Sequence, residues 1–172
     1  MRSLLTWRAW CTTTPWPEGH ALTLLLLRLW LAQEFGLAGY TKLAGGLQPP
    51  EWFVGLQFPF PHHLLSPQFN WVMAGGLELL AALALLAGLG TRAVALVLFY
   101  VTYVAVYSVH FDLGWAGWNQ IETEAGNGFK VPLMIALMLA TVLAQGAGRW
   151  SLDAWWSRSP RQRGTVAACT NP

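Results

Sequence analysis

The sequence is poor in charge. Only 10% of its 172 residues are Asp, Glu, Lys or Arg, whereas 55% are hydrophobic and the mean hydropathy is +0.40. Soluble domains carry about 25% charged residues, so the deficit argues against a soluble globular protein and for a chain that sits in a lipid bilayer. The formal net charge is +2, and because no basic stripe runs along the chain we do not expect nucleic acid as a partner.

Cysteine and the recognised catalytic motifs are scarce as well. The two cysteines, Cys11 and Cys169, lie near opposite ends of the sequence and form no Cys-x-x-Cys pair, which argues against thiol exchange by this chain alone. The sequence contains no P-loop, nucleophile elbow, zincin motif or dinucleotide fingerprint. It therefore identifies no catalytic residue, and whether the chain is an enzyme stays open.

Long apolar runs are abundant. A helix needs about 20 apolar residues to cross a bilayer, and four segments meet or approach that length: residues 21–40, 70–89, 93–111 and 129–145. Residues 88–92 are so short a connection that the second and third helices must form an antiparallel hairpin. The predicted fold is all-α, an integral membrane four-helix bundle. Residues 1–20 form an interfacial amino-terminal segment, 21–147 the membrane domain and 148–172 a carboxyl-terminal tail.

The basic residues predict the orientation of this bundle, because they collect on the cytoplasmic side of membrane proteins. Only Lys42 and Lys130 flank one face, whereas the other face has seven arginines: Arg2, Arg8, Arg92, Arg149, Arg158, Arg161 and Arg163. We therefore predict that both chain ends are cytoplasmic, in a multi-pass protein of a bacterial-type inner membrane. Tryptophans lie near the same boundaries, as expected for indoles at a membrane interface.

The loop between the first and second spans, residues 43–69, holds half of the ten prolines and is rich in aromatic residues. So much proline excludes a regular helical span. We expect this loop to lie at the non-cytoplasmic interface or to cap the bundle there.

Charged residues within the predicted spans should have partners. A charge at the centre of a membrane helix costs about 2.5 to 3.5 kcal/mol, so it normally faces the bundle. Arg28, Gly39 and Lys42 share one face of the first helix, and Gly75 and Glu78 share one face of the second. Small residues allow helices to approach closely in lipid, so we predict that these two faces pack together.

Within that seam we predict an ion pair between Arg28 and Glu78, with the long arginine side chain bridging their difference in depth. Such a pair is either a structural lock between two helices or part of a site for protons or a quinone headgroup.

Polar side chains also recur along one stripe of the third helix, at Tyr100, Tyr103, Tyr107 and His110. The stripe is either aromatic packing between helices or a polar wall leading to the outer face. In the second case it would suit a quinone or a proton path, with Tyr107 near the working surface.

Histidines near the outer face raise the hypothesis of a metal site. His110 and Asp112 end the third span, while His62 and His63 lie in the facing loop and Met73 begins the second span. Imidazole, carboxylate and thioether groups could together hold copper. No ligand spacing here matches an established metal motif, so the hypothesis rests on residue types alone.

Several motifs follow one another along the chain. The first helix has Leu27-Arg28-Leu29, Gly36, Gly39 and Lys42, the second has Glu78, and residues 86–92 and 146–153 read LAGLGTR and GAGRWSLD. In order and spacing they resemble the DoxX family of small four-helix membrane proteins over roughly residues 22–156. The resemblance implies an accessory role in a quinone-linked or periplasmic redox system, with other membrane subunits as partners. The alternative is a non-catalytic structural subunit that docks on a larger membrane complex.

A narrower resemblance rests on Glu51-Trp52-Phe53, residues 55–61 and residues 109–115. These segments look like one branch of the family, whose members are encoded beside genes for the maturation of copper-binding peptides. That likeness implies an association with copper.

Overall fold

Four long helices dominate the computed structural model, which describes residues 17–157. They are α1 (Pro17–Ala44), α3 (Pro67–Ala87), α4 (Thr91–Val109) and α5 (Lys130–Gln145). Shorter elements are α2 (Glu51–Val54), α6 (Leu152–Ser157), turns of 3-10 helix at His62–Leu64 and Gly114–Asn119, and the antiparallel strands β1 (Glu122–Thr123) and β2 (Gly126–Asn127). The predicted all-helical fold is confirmed. Residues 1–16 of the predicted amino-terminal segment and 158–172 of the predicted tail lie outside the described residues.

Three of the long helices, α1, α3 and α4, are long and apolar enough to cross a membrane. The fourth, α5, is equally apolar but has only 16 residues. At 1.5 Å per residue it covers roughly 24 Å, short of the ~30 Å of a typical hydrocarbon core.

The helix ends follow local sequence signals. α1 is longer at both ends than the predicted span, and it begins at Pro17, because proline favours the first helical position. α3 begins after Ser66, whose hydroxyl accepts a hydrogen bond from the Phe69 N–H at 3.2 Å. It ends where Gly88 adopts the left-handed conformation, with φ of 67°.

The core of the bundle is apolar and draws on all four long helices. Its fully buried members include Leu31 of α1, Leu85 of α3, Leu98 of α4 and Leu139 of α5. The packing of four helices around one such core is what fixes the positions of the few polar side chains.

The predicted seam between the first two spans is present as contact between α1 and α3. A Cβ atom added to Gly39 would lie 2.7 Å from the Gly75 carbonyl oxygen, and one added to Gly75 would lie 3.2 Å from the Lys42 Cβ atom. The glycines therefore let two backbones approach closely, as expected of small residues between membrane helices.

The bundle has two distinct ends. At the turn end, residues 88–90 join α3 to α4, and the segment from Gly146 to Asp153 folds back onto this turn, where the Asp153 N–H donates to the Gly88 carbonyl at 3.0 Å. At the loop end lie the two long connections, residues 45–66 and 110–129. The first of these packs on the bundle through Phe53, whose ring centroid is 4.9 Å from that of Trp71.

Candidate functional site

A buried ion pair joins α1 to α3 near the loop end. The Lys42 Nζ atom lies 2.6 Å from the Glu78 Oε2 atom, and 8% of the Glu78 side chain is exposed against 23% of that of Lys42. The close contact at Gly39, three residues before Lys42, sets the register that brings the two side chains together.

The predicted pairing of Arg28 with Glu78 is wrong, and the direction of helical side chains explains why. Side chains on a helix lean toward its amino terminus. α1 runs from the turn end to the loop end, so Arg28 leans away from Glu78 and Lys42 leans toward it. α3 runs in the opposite direction, so Glu78 leans toward Lys42.

Arg28 instead ties the turn end together. Its side chain is 1% exposed, and its Nη2 atom donates a hydrogen bond to the Trp150 carbonyl at 2.7 Å. The nearby Asp153 carboxylate accepts hydrogen bonds from the Gly90 N–H at 2.7 Å and the Thr91 N–H at 2.9 Å. Burial acts to raise the pKa of Asp153, but these two bonds and the Arg28 charge outweigh it and lower that pKa. Arg28 therefore serves the fold at the end of the bundle opposite to Glu78.

A cavity of about 560 Å³ opens between α3 and α4 on the loop-end side of the bundle. Its walls are mostly apolar, and its polar groups come from four places: the Lys42–Glu78 pair, the His62–Asn70–Tyr100 cluster, Ser108 and His110. Residues 52–65 of the first long connection, including Phe53 and Phe58, close it at one end. We call this space the α3–α4 cavity.

One wall of the α3–α4 cavity is a hydrogen-bond network centred on His62. The Asn70 Nδ2 group donates to the His62 carbonyl at 2.9 Å, which directs the Asn70 Oδ1 atom toward the imidazole Nδ1 atom, 3.0 Å away. The Nδ1 atom must therefore carry the proton of a neutral imidazole. The Nε2 atom is then an acceptor, and the Tyr100 hydroxyl, 3.0 Å away, donates to it.

The predicted tyrosine stripe divides between two environments. Tyr100 belongs to the network and lines the cavity, whereas Tyr103 and Tyr107 are half-exposed on the side of α4 and do not line it. Tyr107 is therefore not beside the Lys42–Glu78 pair.

His110, the last residue of the predicted stripe, does line the cavity. Burial lowers the pKa of His110, against the opposing effects of a hydrogen bond to the Gly128 backbone and the Asp112 charge, so the neutral imidazole is favoured.

Comparison with known proteins identifies the family. The sequence model of the DoxX family matches residues 23–111, just over half of the chain. The chain belongs to the DoxX family. It is also similar to an uncharacterized protein of Haemophilus influenzae, with 39% identity over 137 residues that cover 78% of this chain and 83% of that protein. No solved structure matches the chain.

DoxX membership and the apolar helices together make this chain a multi-pass membrane protein. The matched region contains both members of the Lys42–Glu78 pair, the whole His62 network and the α3 and α4 walls of the cavity. The segment from Gly146 to Asp153, which packs against the turn end, lies beyond it. The site is therefore built within the part of the chain that defines the family.

The five candidate copper ligands of this DoxX protein are not brought together as a set, because His62, Met73 and His110 line the α3–α4 cavity whereas His63 and Asp112 do not. Both ring nitrogens of His62 are engaged in the network, His63 is exposed against the ring of Phe60, and Asp112 accepts a hydrogen bond from the Asn127 N–H at 3.0 Å. Within residues 17–157, no three His, Cys, Asp or Glu side chains are close enough to hold a metal ion. These residues, as they are arranged, do not fit a copper ion.

Three residues of the site have roles that the sequence pattern does not predict. Asn70 only begins a predicted span, yet it is 4% exposed. Trp71 shares the predicted packing face of the second helix with Glu78, but the hydrogen bond from its Nε1 group to the Lys42 carbonyl at 3.1 Å is not predicted. Ser108 is a third, with a hydroxyl that is buried and has no hydrogen-bond partner among the described residues. A polar amide at the start of an apolar run is the sequence signal that could have identified Asn70. The environments of Trp71 and Ser108 depend on how the helices pack, and the sequence gives no signal for them.

Proposed function

We propose that this DoxX-family protein is an integral membrane accessory protein of a quinone-linked redox system and that it binds a quinone-like ring in the α3–α4 cavity. The observation that carries the proposal is the cavity itself. Its volume of about 560 Å³ falls in the range of small-molecule sites, which are mostly apolar with a few placed polar groups.

The position of the cavity favours a ligand that arrives from the lipid. Two of its lining residues are also exposed on the sides of α3 and α4: Leu77 (36%) and Tyr100 (43%). Leu77 and Tyr100 belong to helices of membrane-spanning length, so this opening faces hydrocarbon. A lipid-soluble ring with an apolar tail could enter there and leave its tail in the bilayer.

The polar groups of the cavity suit the oxygen atoms of a quinone headgroup. The Ser108 hydroxyl is buried without a partner among the described residues, which costs about 1 to 3 kcal/mol unless a ligand or water satisfies it. The Lys42 ammonium group offers N–H donors in the same cavity. When bound, a quinone would supply the two-electron redox chemistry, while this chain would bind and orient the ring.

We further propose that the loop end faces the non-cytoplasmic side of a bacterial inner membrane. The arginines support this orientation, since Arg92 and Arg149 lie near the turn end and Lys42 and Lys130 near the loop end. The cavity would then open in the outer half of the bilayer.

Binding of a decyl-substituted quinone to the full chain in lipid nanodiscs tests the proposal. Ala105 lines the cavity, so Ala105→Phe should fill it and weaken binding at least severalfold. Ala140→Phe, an identical change at an exposed position of α5, is the matched control and should bind as the wild type does. Absence of binding by the wild type, or equal binding by Ala105→Phe, would refute the site.

The half-exposed tyrosines of α4 favour a second candidate function, a structural subunit that docks on another membrane protein. The rings of Tyr103 and Tyr107 are 6.5 Å apart and each residue is 51% exposed, and aromatic side chains often anchor protein interfaces. Replacing both by leucine should release a co-purifying subunit in mild detergent. Retention of that subunit by the doubly substituted protein would count against this role.

A further inference from the structure

The Lys42–Glu78 pair stands between two separate spaces. The α3–α4 cavity lies on one side. On the other is a vestibule of about 490 Å³, which opens to the surface at the loop end and is lined by Thr41, Lys42, Gly45, Gln48, Pro50, Trp52 and Trp71. Lys42 lines both spaces, whereas Glu78 lines only the α3–α4 cavity.

Lys42 therefore connects the vestibule with the α3–α4 cavity, and Glu78 lies on the cavity side of Lys42. The Lys42 side chain is 23% exposed, that of Glu78 is 8% exposed, and 2.6 Å separates Nζ from Oε2. Such a distance is that of a charge-assisted hydrogen bond, along which a proton can pass directly. Because Lys42 is a flexible chain with three N–H donors, it can keep this bond and still present a proton to the vestibule.

We propose that Lys42 and Glu78 form a proton-transfer pair that carries a proton between a hydroxyl group of the ligand in the α3–α4 cavity and water in the vestibule. The inference rests on the proposed function, since it requires a ligand with an acidic hydroxyl in that cavity. The structure supports it because Glu78, which lines only the cavity, is bonded to Lys42, which lines both the cavity and the vestibule.

The acid–base steps balance without any change of oxidation state. The ligand O–H bond breaks and its proton forms a new O–H bond on the Glu78 carboxylate. The Lys42 ammonium group loses a proton to a vestibule water and becomes an amine, which then takes the proton from Glu78. The net result is a deprotonated ligand and one proton in the vestibule, with the ion pair restored.

The other titratable groups around the pair do not offer the same route. Along the cavity these are His62, Tyr100 and His110. His62 and Tyr100 are bonded to each other, and His110 does not line the vestibule. Among the residues that line the vestibule in the described part of the chain, Lys42 is the one titratable side chain.

An alkyl-substituted hydroxynaphthoquinone is a suitable probe, because it combines a quinone ring with an acidic hydroxyl and its neutral and anionic forms absorb at different wavelengths. Deprotonation of the bound probe would be followed in time by this change in absorbance, after the full chain in nanodiscs is mixed with buffer of higher pH. We expect deprotonation to be at least severalfold slower in Lys42→Met/Glu78→Gln than in the wild type, because among the described residues the double variant has no acid–base group between the cavity and the vestibule.

The double variant is preferred to either single change because it leaves no unpaired charge in the bundle. A matched control is Glu34→Gln/Lys130→Met, which removes one acid and one base that line neither space, and the bound probe should lose its proton in it as fast as in the wild type. Equal affinity and equal rates of probe deprotonation in the wild type and in Lys42→Met/Glu78→Gln would overturn the transfer role and leave the binding function standing. A wild type that does not bind the probe would overturn both.

The exit of the proton through the vestibule is tested separately. Gln48 is exposed and lines the vestibule but not the cavity, so a Gln48→Cys variant in a background with Cys11 and Cys169 replaced by serine can be labelled with a bulky maleimide. We expect the label to slow proton release on probe binding severalfold, as followed by a pH dye in weak buffer, with probe affinity unchanged. Unchanged release from the fully labelled protein would refute this route.

Discussion

Replacing Gly39 by alanine would place a methyl group where α1 and α3 are in backbone contact. The added Cβ atom would lie 2.7 Å from the Gly75 carbonyl oxygen, 2.8 Å from the Leu79 nitrogen and 3.1 Å from the Glu78 Cβ atom. Two of these three neighbours are backbone atoms of a helix, which cannot rotate away. The helices must therefore separate, and the Lys42–Glu78 pair depends on their separation.

The size of the effect follows from two opposing terms. Overpacking of a well-packed contact costs about 1 to 3 kcal/mol, whereas alanine in a helix is favoured over glycine by about 0.5 to 1 kcal/mol. Gly36→Ala is the matched control, because it lies one turn away on α1 and its added Cβ would meet only the Ala82 Cβ atom at an ordinary 3.5 Å. The helix-propensity gain is common to both variants, so their difference in stability should equal the overpacking cost, about 1 to 3 kcal/mol.

Unfolding in mixed detergent micelles, followed by circular dichroism, measures that difference. We expect Gly39→Ala to be less stable than Gly36→Ala and to bind the quinone probe more weakly, since the ion pair beside the cavity is displaced. Equal stability of the two variants would show that the helices adjust without cost, and the argument from the close contact would fail.

Three further predictions concern the polar residues. Asp153→Ala should lower the free energy of unfolding by about 0.5 to 2 kcal/mol, because it removes the cap of α4. Since the pKa of Asp153 is lowered in the fold, its contribution is present above the ordinary aspartate pKa and is lost as the pH falls through the folded value; acid melts should show this loss in the wild type and not in Asp153→Ala. His62→Phe should cost about 1 to 3 kcal/mol, because it leaves a buried amide oxygen unsatisfied, whereas His63→Phe at the exposed neighbour should melt as the wild type does. Lys42→Met should lower the free energy of unfolding by up to about 3 to 5 kcal/mol, and by more than Glu78→Gln does, because it leaves the more deeply buried charge unpaired. The double variant should recover most of that loss.

Each of these has a result that would contradict it. An acid melt of Asp153→Ala identical to that of the wild type would show that the carboxylate contributes no charge-dependent stability. Equal effects of the two histidine substitutions would remove the network as a source of stability. A double variant as unstable as Lys42→Met would mean that the lysine acts through packing and not through its charge.

The helical bundle and the contact between its first two spans could be predicted from the sequence, because they depend on the length and periodicity of runs along the chain. Apolar length predicted the helical bundle, and the periodicity of small residues predicted the face on which α1 meets α3, with Gly39 and Gly75 in contact. The predicted partner of Glu78, Arg28, was wrong because helical spacing alone does not say which way a side chain leans. Applied to antiparallel helices, the lean of side chains toward each amino terminus selects Lys42 over Arg28.

The candidate site was harder to predict from the sequence than the helical bundle was, for a different reason. The α3–α4 cavity exists because His62 and Phe53, from the connection between α1 and α3, pack beside Asn70 and Trp71 at the start of α3. Contacts between a proline-rich loop and a helix start have no periodicity in the sequence. The same packing engages both ring nitrogens of His62, and so removes it from the copper ligand set that residue types suggested.

The sequence by itself therefore determined that this protein is a helical membrane protein of the DoxX family, since hydrophobic length and motif order are local quantities that need no knowledge of contacts. Only the tertiary structure decided which charges pair, which histidine is buried, and that Lys42 lines both the α3–α4 cavity and the vestibule. These depend on the distances between side chains from different helices, and those distances are set by how closely the helix backbones approach at Gly39 and Gly75.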